Sequence, residues 1–318
     1  MALSNMVVFN EYIKESTIET VFQEIQKFNA ASNGAIVLSA DGFDGDFLER
    51  SLYGSIMSAR RRVDRYGANG TVANTEMAEI KDVGVKVAGG FGPISYEPSQ
   101  WTWMRQNESK AIAAISKSLS DAILQDQLNA SILAGVAAVG NNADAVLDGT
   151  SGALGHSILN TGDALFGDAS GVLAARVMSG ASYHKLIGEN IANAATLFVA
   201  GNVTVVDILG KPAIVTDAPA LTAGAVGNIL TLAQAGIVVN NASDIITDMG
   251  TIRGNERILT TFQADYAFGI NLLGYAWDIA NGGKSPDDTE IGTGTNWDVI
   301  AGNVKGTAGT LVKYDATA

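Results

Sequence analysis

The sequence contains no cysteine, and only two histidines and five prolines occur among its 318 residues. Without cysteine the chain can form neither disulfides nor thiolate metal sites, and it has no thiol nucleophile. The histidines, His156 and His184, have no acidic or second histidine neighbour at a ligand spacing, so a zinc or iron site lacks ligands. We therefore assign no catalytic, cofactor-binding or metal-binding residue and expect stability to come from packing and assembly.

Long apolar runs are also missing. The start "MALSNMVVFNEYIKES" lacks the basic residues and apolar stretch of a signal peptide, and no run approaches the roughly 18 apolar residues of a membrane span. We expect a protein that is made and kept soluble in a cytoplasm. Basic residues are scarce too: 20 Lys and Arg face 33 Asp and Glu, which gives a net charge of −13. Such a chain repels nucleic acid except at local basic patches.

Two helices are predicted in the first half of the chain. Apolar residues between Ile18 and Phe28 recur at steps of three and four, which is typical of an amphipathic helix beginning after Asn10. The segment "NESKAIAAISKSLSDAILQDQLNASILAGVAAVG" has few helix breakers before Gly135. It predicts a second helix of about 40 Å, which is long for a globular domain.

Between these helices the pattern is that of a long, polar β-hairpin. Val83, Val85 and Val87 alternate with Lys86 in "VANTEMAEIKDVGVKVAGGFGPISYEPS", and the glycines of "YGANG" mark the expected tip. An isolated two-stranded hairpin is marginal in water. We therefore expect this hairpin to lie on something else.

The second half mixes helices and strands. "TGDALFGDASGVLAARVMSGASYHKLIGENIAN" predicts a helix, an apolar run and another helix, and strands follow in "NVTVVDILGKPAIVTDAPAL" and "NILTLAQAGIVVNNAS". Alternation in "RILTTFQADYAFGINLLGYAWDI" predicts long strands, whereas the tail "NGGKSPDDTEIGTGTNWDVIAGNVKGTAG" is loop-rich. The predicted fold class is α+β.

Two stretches partly match known ligand-binding motifs, but each lacks a residue that the motif requires. Asp41, Asp44 and Asp46 suggest a calcium loop, but the bidentate Glu at the twelfth position is missing. Lys284 and Ser285 follow glycine as in a phosphate loop, yet Asp278 stands where the first glycine is required and a proline follows. We find no nucleophile elbow either. The protein is expected not to be an enzyme.

The stretch "ARRRVDRYGANG" is basic within this acidic chain. It contains Arg60, Arg61, Arg62 and Arg65. Three interpretations are open: pairing with carboxylates of a neighbouring subunit, a solvated face, or phosphate contacts. We favour the first, because guanidinium groups make forked hydrogen bonds with carboxylates. The hypothetical inter-subunit contact residues are Arg60, Arg61, Arg62, Arg65, Lys81, Lys86, Glu15 and Glu19.

The order of these elements, with an arm, an extended hairpin, a long helix and an α/β lobe before late long strands, resembles the major capsid proteins of tailed bacteriophages with the Hong Kong 97-like fold. The resemblance is clearest locally in three stretches: "ALFGDASGVLAARVMSGASYHKL", "VVDILGKPAIVTDAPAL" and "IRGNERILTTFQADYAFGINLLGYAWD". The resemblance covers nearly the whole chain. These stretches are patterns of packing residues rather than catalytic signatures.

The resemblance implies a division of the chain. Residues 1–40 would be an N-terminal arm, 41–100 the extended loop and 101–160 a peripheral lobe with the spine helix. Residues 161–250 would form the axial lobe, and 251–318 the return strands of the peripheral lobe and a C-terminal segment. Some relatives form covalent Lys–Asn cross-links between subunits, and Lys81 and Lys86 lie in the implied loop. No pair of residues in this sequence supports such a cross-link, so we expect non-covalent contacts.

The implied function is to self-assemble into hexamers and pentamers of an icosahedral shell around the double-stranded DNA of a tailed phage, in a virion assembled in a bacterial cytoplasm. Implied partners are other copies, a portal, a separate scaffolding protein and a decoration protein. No cofactor, membrane contact or sequence-specific DNA binding is expected. An encapsulin-type nanocompartment shell is the first alternative, and a soluble α/β enzyme with a nucleotide site at "NGGKSPDD" is the second.

Overall fold

The computed structural model describes residues 3–39, 45–53, 59–74, 76, 79–97, 108–189, 196–200, 203–208, 210–241, 245–254 and 256–317. Two mixed β-sheets pack around two long helices. The expected α+β class is confirmed.

The first half of the chain contains both long helices and the hairpin. Its elements are α1 (Leu3–Ala31), β1 (Ile36–Ser39), β2 (Phe47–Tyr53), β3 (Glu79–Tyr96), α2 (Glu108–Gly140), β4 (Val146–Gly149), α3 (His156–Ala164), β5 (Leu173–Met178) and α4 (Gly180–Glu189).

The second half is mostly strands. Its elements are β6 (Thr196–Ala200), β7 (Val203–Ile208), β8 (Lys211–Val215), β9 (Thr222–Ala223), β10 (Val226–Ala233), β11 (Ile237–Asn241), β12 (Ile246–Ile252), β13 (Leu259–Leu272), β14 (Tyr275–Trp277), α5 (Ile279–Gly282), α6 (Asp288–Ile291), β15 (Trp297–Val299) and β16 (Gly309–Asp315).

The first sheet is organised around β13. Its order is β1-β11-β13-β14-β15, and β12 and β3 also pair with β13. The antiparallel β3–β13 register runs from Tyr96 opposite Thr260 to Val85 opposite Ile270. Val85 is also opposite Phe47, where the β2–β3 hairpin begins. The hairpin is therefore a continuation of the first sheet through one shared strand.

The second sheet has the order β4-β16-β10-β5-β8-β7-β6, and β9 pairs with the first two residues of β10. β16 lies between β4 and β10, pairing parallel with the former and antiparallel with the latter. Its apolar residues Leu311 and Val312 are fully buried. The last strand in the sequence is thus an inner strand of this sheet, with a neighbour on each side.

The helix α2 has 33 residues, or about 50 Å at about 1.5 Å per residue. It continues through Gly135, where a β-carbon would come within 3.0 Å of Leu230 and Ile237 side-chain atoms. By length and composition Ala113–Gly140 could cross a membrane, but most of that helix is buried in the fold. It is a core helix.

The two long helices lie side by side through polar contacts. The Ser116 and Ser120 hydroxyls donate hydrogen bonds to the carbonyl oxygens of Ile13 and Thr17, each at 3.2 Å. Further along α1, Val21, Ile25 and Phe28 are buried in the core, as their spacing predicted. Helix α1 therefore contacts both α2 and the core, and it begins earlier than the predicted start after Asn10.

Two glycines of β3 explain the run "AGGFGP". A β-carbon at Gly89 would lie 2.9 Å from the Tyr266 ring on β13, so only glycine fits under that ring. Gly92 has φ 111° and lies at the register shift between Phe262 and Ala264, where a β-bulge is expected to require glycine. The close β3–β13 approach therefore depends on residues without side chains.

Candidate assembly surfaces

Residues 59–74, here called the arginine loop, are all exposed. Within the loop the backbone N–H of Tyr66 donates to Asp64 Oδ1 at 2.9 Å, and the Arg65 guanidinium lies 5.9 Å from the Tyr66 ring centroid. None of the ion pairs found between described residues involves an arginine of this loop. The loop thus makes local contacts and presents its charge to solvent.

The arginine loop differs in charge from the rest of the molecule. Four arginines and one aspartate give it a formal charge of +3. Because the whole chain carries −13, the remaining residues carry −16. Every copy of the chain therefore combines one basic loop with an acidic body.

The lysines proposed for inter-subunit contact lie at the base of the hairpin. Lys81 Nζ lies 4.0 Å from Glu49 Oε2 on the opposite strand, and both side chains are largely exposed. Lys86 is half-buried opposite Gly269. Val83, Val85 and Val87 are all buried, as the alternation predicted. The base of the hairpin is consequently part of the core, not a polar ribbon throughout.

The acidic residues proposed as partners lie on α1. Glu15 and Glu19 are exposed, whereas Ile13 and Thr17 on the same helix are fully buried. Gln23 Nε2 donates to Glu19 Oε1 at 3.4 Å. No ion pair joins these glutamates to the arginine loop within the described part of one chain. A contact between them would have to form between copies.

A groove of about 470 Å³ lies beside the C-terminal turns of α2. We call it the α2 groove. Its apolar surface comes from Val136 on α2, Val226 on β10 and Leu311 on β16. Gly292 and Gly294 form another part of its wall. Because glycine has no side chain, this wall lets a guest approach the backbone closely.

The side chain of Asn228 also lines the α2 groove. It is 5% exposed, and its Nδ2 donates to the Ala220 carbonyl oxygen at 3.0 Å. Its Oδ1 is buried and accepts no hydrogen bond from any described residue. A buried amide oxygen without a donor is uncommon in folded proteins.

The buried Arg176 belongs to a network of ion pairs in the second sheet. Asp163 Oδ2 accepts hydrogen bonds from Arg176 Nη2 at 2.6 Å and Lys211 Nζ at 2.8 Å. The Arg176 side chain is only 1% exposed. The carboxylate ties α3 to β5 and β8, so these charges hold the second sheet and its covering helix together.

A second polar contact joins α2 to the first sheet. The Tyr266 hydroxyl donates to Asp126 Oδ2 at 2.5 Å. Burial raises the pKa of Asp126, the Tyr266 hydrogen bond opposes this change, and the negative charge of Asp288 adds to the rise. Burial and the neighbouring Asp126 also raise the pKa of Tyr266. Both groups keep their protons more tightly than exposed ones do.

The sequence motifs have structural explanations. A capping box joins Asp287 and Glu290 at the first turn of α6. The backbone N–H groups of both residues therefore already donate to carboxylates and are not free to bind a phosphate. Lys284 and Ser285 are exposed in the loop before it. No group of three or more potential metal ligands occurs among the described residues. Of the calcium-loop candidates, Asp46 is exposed, and Asp41 and Asp44 lie outside the described residues.

Sequence reasoning singled out the arginines but missed Tyr66 and the α2 groove. Tyr66 directly follows Arg65, and an aromatic residue next to the arginines was a signal that could have been used. The groove is built from several separate segments, the first at Val136 and the last at Lys313. No local pattern could have revealed it.

A family model described as Gp13-like, major capsid protein 13-like, matches residues 5–311. No curated protein sequence matches the chain.

Several solved structures are similar. The capsid of cyanophage Pam1 has a TM-score of 0.47 at 12% identity, with 88% of each chain covered. The holo-encapsulin complex of Synechococcus elongatus has a TM-score of 0.48 at 10% identity, covering 88% of this chain and 84% of that one. The capsid of Ralstonia phage GP4 has a TM-score of 0.45 at 12% identity, covering 76% and 84%. All three TM-scores are below 0.5. The assignment of the chain to a family therefore rests on the family model that matches residues 5–311.

Proposed function

Since the chain belongs to the Gp13-like family of major capsid proteins, we propose that it forms hexamers and pentamers of an icosahedral shell that encloses the double-stranded DNA of a tailed phage. The family match over residues 5–311 carries this proposal. It confirms the expectation of a major capsid protein, a structural component that associates with copies of itself. We further propose that the protein has no enzymatic activity.

The proposed structural parts of the subunit follow one another along the sequence. Residues 1–40 form the arm, 41–100 the extended loop, and 101–160 the peripheral lobe with its spine helix. Residues 161–250 form the axial lobe, and 251–318 complete the peripheral lobe and the C-terminal segment. The pairing of β5, β8, β7 and β6 in the second sheet supports an axial lobe. The pairing of β3 with β13 supports a peripheral lobe to which the extended loop is attached.

Contacts between copies are proposed to use opposite charges. Arg60, Arg61, Arg62 and Arg65 of one copy would face Glu15 and Glu19 of another, with Lys81 and Lys86 contributing along the hairpin. The exposure of the four arginines and of both glutamates, and the absence of ion pairs for the loop arginines within the described chain, support this arrangement. A single surface ion pair contributes at most about 1 kcal/mol, so the effect depends on repetition around the shell.

The proposal also covers the partners of the shell, the place of assembly and the enclosed DNA. A portal, a separate scaffolding protein and a decoration protein would be the other partners, and assembly would take place in a bacterial cytoplasm. DNA would be enclosed without sequence-specific binding and without a cofactor. The acidic body would limit adhesion of DNA to the inner wall, because like charges repel.

The test is electron microscopy of the protein, produced alone and together with candidate scaffolding proteins, with light scattering to give the mass. Closed icosahedral shells, or rings of capsomer size, are the expected result. A monomer at every concentration in both preparations would overturn the proposal. Shells with protein cargo and no DNA in the native host would instead support the nanocompartment alternative.

A further inference from the structure

Three asparagines in the sequence are followed directly by glycine: Asn33, Asn69 and Asn281. In such a pair the backbone nitrogen of the glycine can attack the side-chain carbonyl carbon of the asparagine, because the glycine has no β-carbon that blocks the approach. All three asparagine side chains are exposed, so access of water does not distinguish them. What distinguishes them is whether the backbone can bring the glycine nitrogen to the side chain.

The pair Asn33–Gly34 lies in the turn between α1 and β1. The Gly34 N–H donates to the Asn29 carbonyl oxygen at 3.3 Å, and the Gly34 carbonyl oxygen accepts from the Ala235 N–H at 2.7 Å. Both residues of the pair have a positive φ, 54° and 68°. The attacking nitrogen is therefore engaged in a hydrogen bond, and the glycine is held on both sides.

The pair Asn281–Gly282 lies at the end of the short helix α5. The Gly282 N–H donates to the Asp278 carbonyl oxygen at 2.8 Å, and Asn281 Nδ2 donates to Asp278 Oδ2 at 2.5 Å. A β-carbon at Gly282 would overlap the Trp277 ring, so the backbone is packed closely there. Both reacting groups of this pair are thus held apart by hydrogen bonds to one residue.

The pair Asn69–Gly70 lies in the arginine loop, in a segment that is neither helix nor strand. Both residues are exposed, and neither makes a hydrogen bond with any described residue. Nothing lies within 4 Å of the position that a Gly70 β-carbon would take. Of the three pairs, this is the one whose glycine nitrogen can reach the asparagine side chain without first breaking a contact.

We propose that Asn69 is a site of spontaneous deamidation. The Gly70 nitrogen loses its proton to hydroxide and forms a bond to Cγ of Asn69. The bond from Cγ to the side-chain nitrogen breaks, and this nitrogen takes a proton from water and leaves as ammonia. Water then opens the resulting five-membered succinimide at either carbonyl, which leaves aspartate or isoaspartate. The chain and water are the only reactants, and nothing is oxidised or reduced.

The reaction changes the charge of the arginine loop. A neutral amide becomes a carboxylate, so the formal charge of the loop falls by one, from +3 to +2. The isoaspartate product also adds one methylene group to the backbone. Because ammonia is lost, the loop becomes less basic as the chain ages. This inference goes beyond the proposed shell, since the reaction needs only the chain itself.

The test is peptide mass spectrometry of the full chain after incubation at physiological temperature and pH, below the concentration of half-assembly. Deamidation adds one dalton to the peptide. We expect Asn69 to react about tenfold faster than Asn33 and Asn281. That ratio equals about 1.4 kcal/mol in the barrier, comparable to one backbone hydrogen bond that the other two pairs must first break. Equal rates at the three pairs would overturn the inference.

Asn74 is the matched control within the loop, because it is exposed there but is followed by threonine. We expect Asn74 to stay unmodified, since a β-branched residue crowds the attacking nitrogen. Gly70→Ala should slow the reaction of Asn69 severalfold and leave thermal unfolding unchanged, because the added β-carbon enters open space. Equal rates at Asn69 and Asn74, or an unchanged rate at Asn69 in Gly70→Ala, would also overturn the inference.

Guanidinium chloride tests the structural cause. Unfolding removes the hydrogen bonds that hold Gly34 and Gly282, so we expect the three asparagine–glycine pairs to react at similar rates in the unfolded chain, with Asn74 still slow. An undiminished advantage of Asn69 under these conditions would overturn the argument from backbone order. Asn69→Asp supplies the charge standard: a fraction of the aged wild-type chain should acquire its retention on an anion-exchange column, and an aged Gly70→Ala chain should not.

Discussion

The arginine loop and the second sheet differ in where their stability comes from. Each residue of the loop is exposed, and its internal contacts are local. In the second sheet, β10 and β16 are almost wholly buried, and even the charged Arg176 is enclosed. The sheet is stabilised by its own chain. The loop can gain comparable burial only from another molecule, so changes in the two regions should affect different measurements.

The largest effect is expected from Gly309→Ala at the start of β16. A β-carbon there would overlap the Thr231 carbonyl oxygen on β10 and lie 2.9 Å from Leu232 Cα. Because backbone atoms cannot move aside within a paired sheet, we expect a loss of about 4 kcal/mol in the free energy of unfolding, measured by urea denaturation. Gly302→Ala is the control, since nothing lies within 4 Å of its β-carbon. Equal stability of the two variants would contradict the close packing of β10 on β16.

Asp163→Ala should have the next largest effect. It leaves Arg176 buried without its carboxylate, which costs about 3 kcal/mol in other proteins. Asp168→Ala removes a carboxylate that pairs with Lys305 at the surface, and we expect no measurable change in unfolding there. A difference between these two variants in thermal and urea denaturation would locate the ionic stabilisation in the second sheet.

The triple substitution Arg60→Ala, Arg61→Ala and Arg62→Ala should weaken assembly and leave the stability of the monomer unchanged. The unfolding of the monomer should be unchanged, because these side chains make no ion pair within the described chain. The concentration at half-assembly should rise about tenfold, and the difference from wild type should shrink with added salt, which screens exposed charges.

Light scattering across a concentration series measures this effect. Lys117→Ala, a substitution of an exposed lysine on α2, controls for a general change in charge. Wild-type assembly by the triple variant would remove the arginines from the interface.

The smallest effect concerns Asp126. Between its ordinary value of 3.8 and its raised pKa, the folded state holds a proton that the unfolded state has released. The contribution of Asp126 therefore becomes more favourable as the pH falls through this window. Asp126→Asn should be slightly more stable than wild type at neutral pH, by less than about 1 kcal/mol, and this advantage should shrink on acidification. A constant difference in unfolding free energy from pH 7 to pH 4 would contradict the assignment.

The sequence predicted elements with strong periodicity. The helix face formed by Val21, Ile25 and Phe28 is buried, and the alternating β13 segment is a long strand. The predicted length of α2 was too short, because Gly135 was interpreted as a break. In the structure that glycine permits contact with Leu230 and Ile237, and the helix continues to Gly140.

The sequence did not predict β16 or the α2 groove. "GTLVKYD" follows a loop-rich tail and is too short to show a clear period, and its role depends on pairing with β10, more than 75 residues earlier. The arginines could be recognised because charge is local in the sequence. Their partner could not, because surfaces made by distant segments, or by another copy, leave no local pattern.

The shared strand β3 also has a mechanical consequence. Val85 is paired with Phe47 in the hairpin and with Ile270 in the first sheet, so one continuous backbone runs from the arginine loop into the core. A neighbour that pulls on the loop along this direction loads the β3–β13 hydrogen bonds in parallel, in shear, and cannot peel them away one at a time. Internal pressure on a closed shell would then be carried as tension through β3 from one copy to the next.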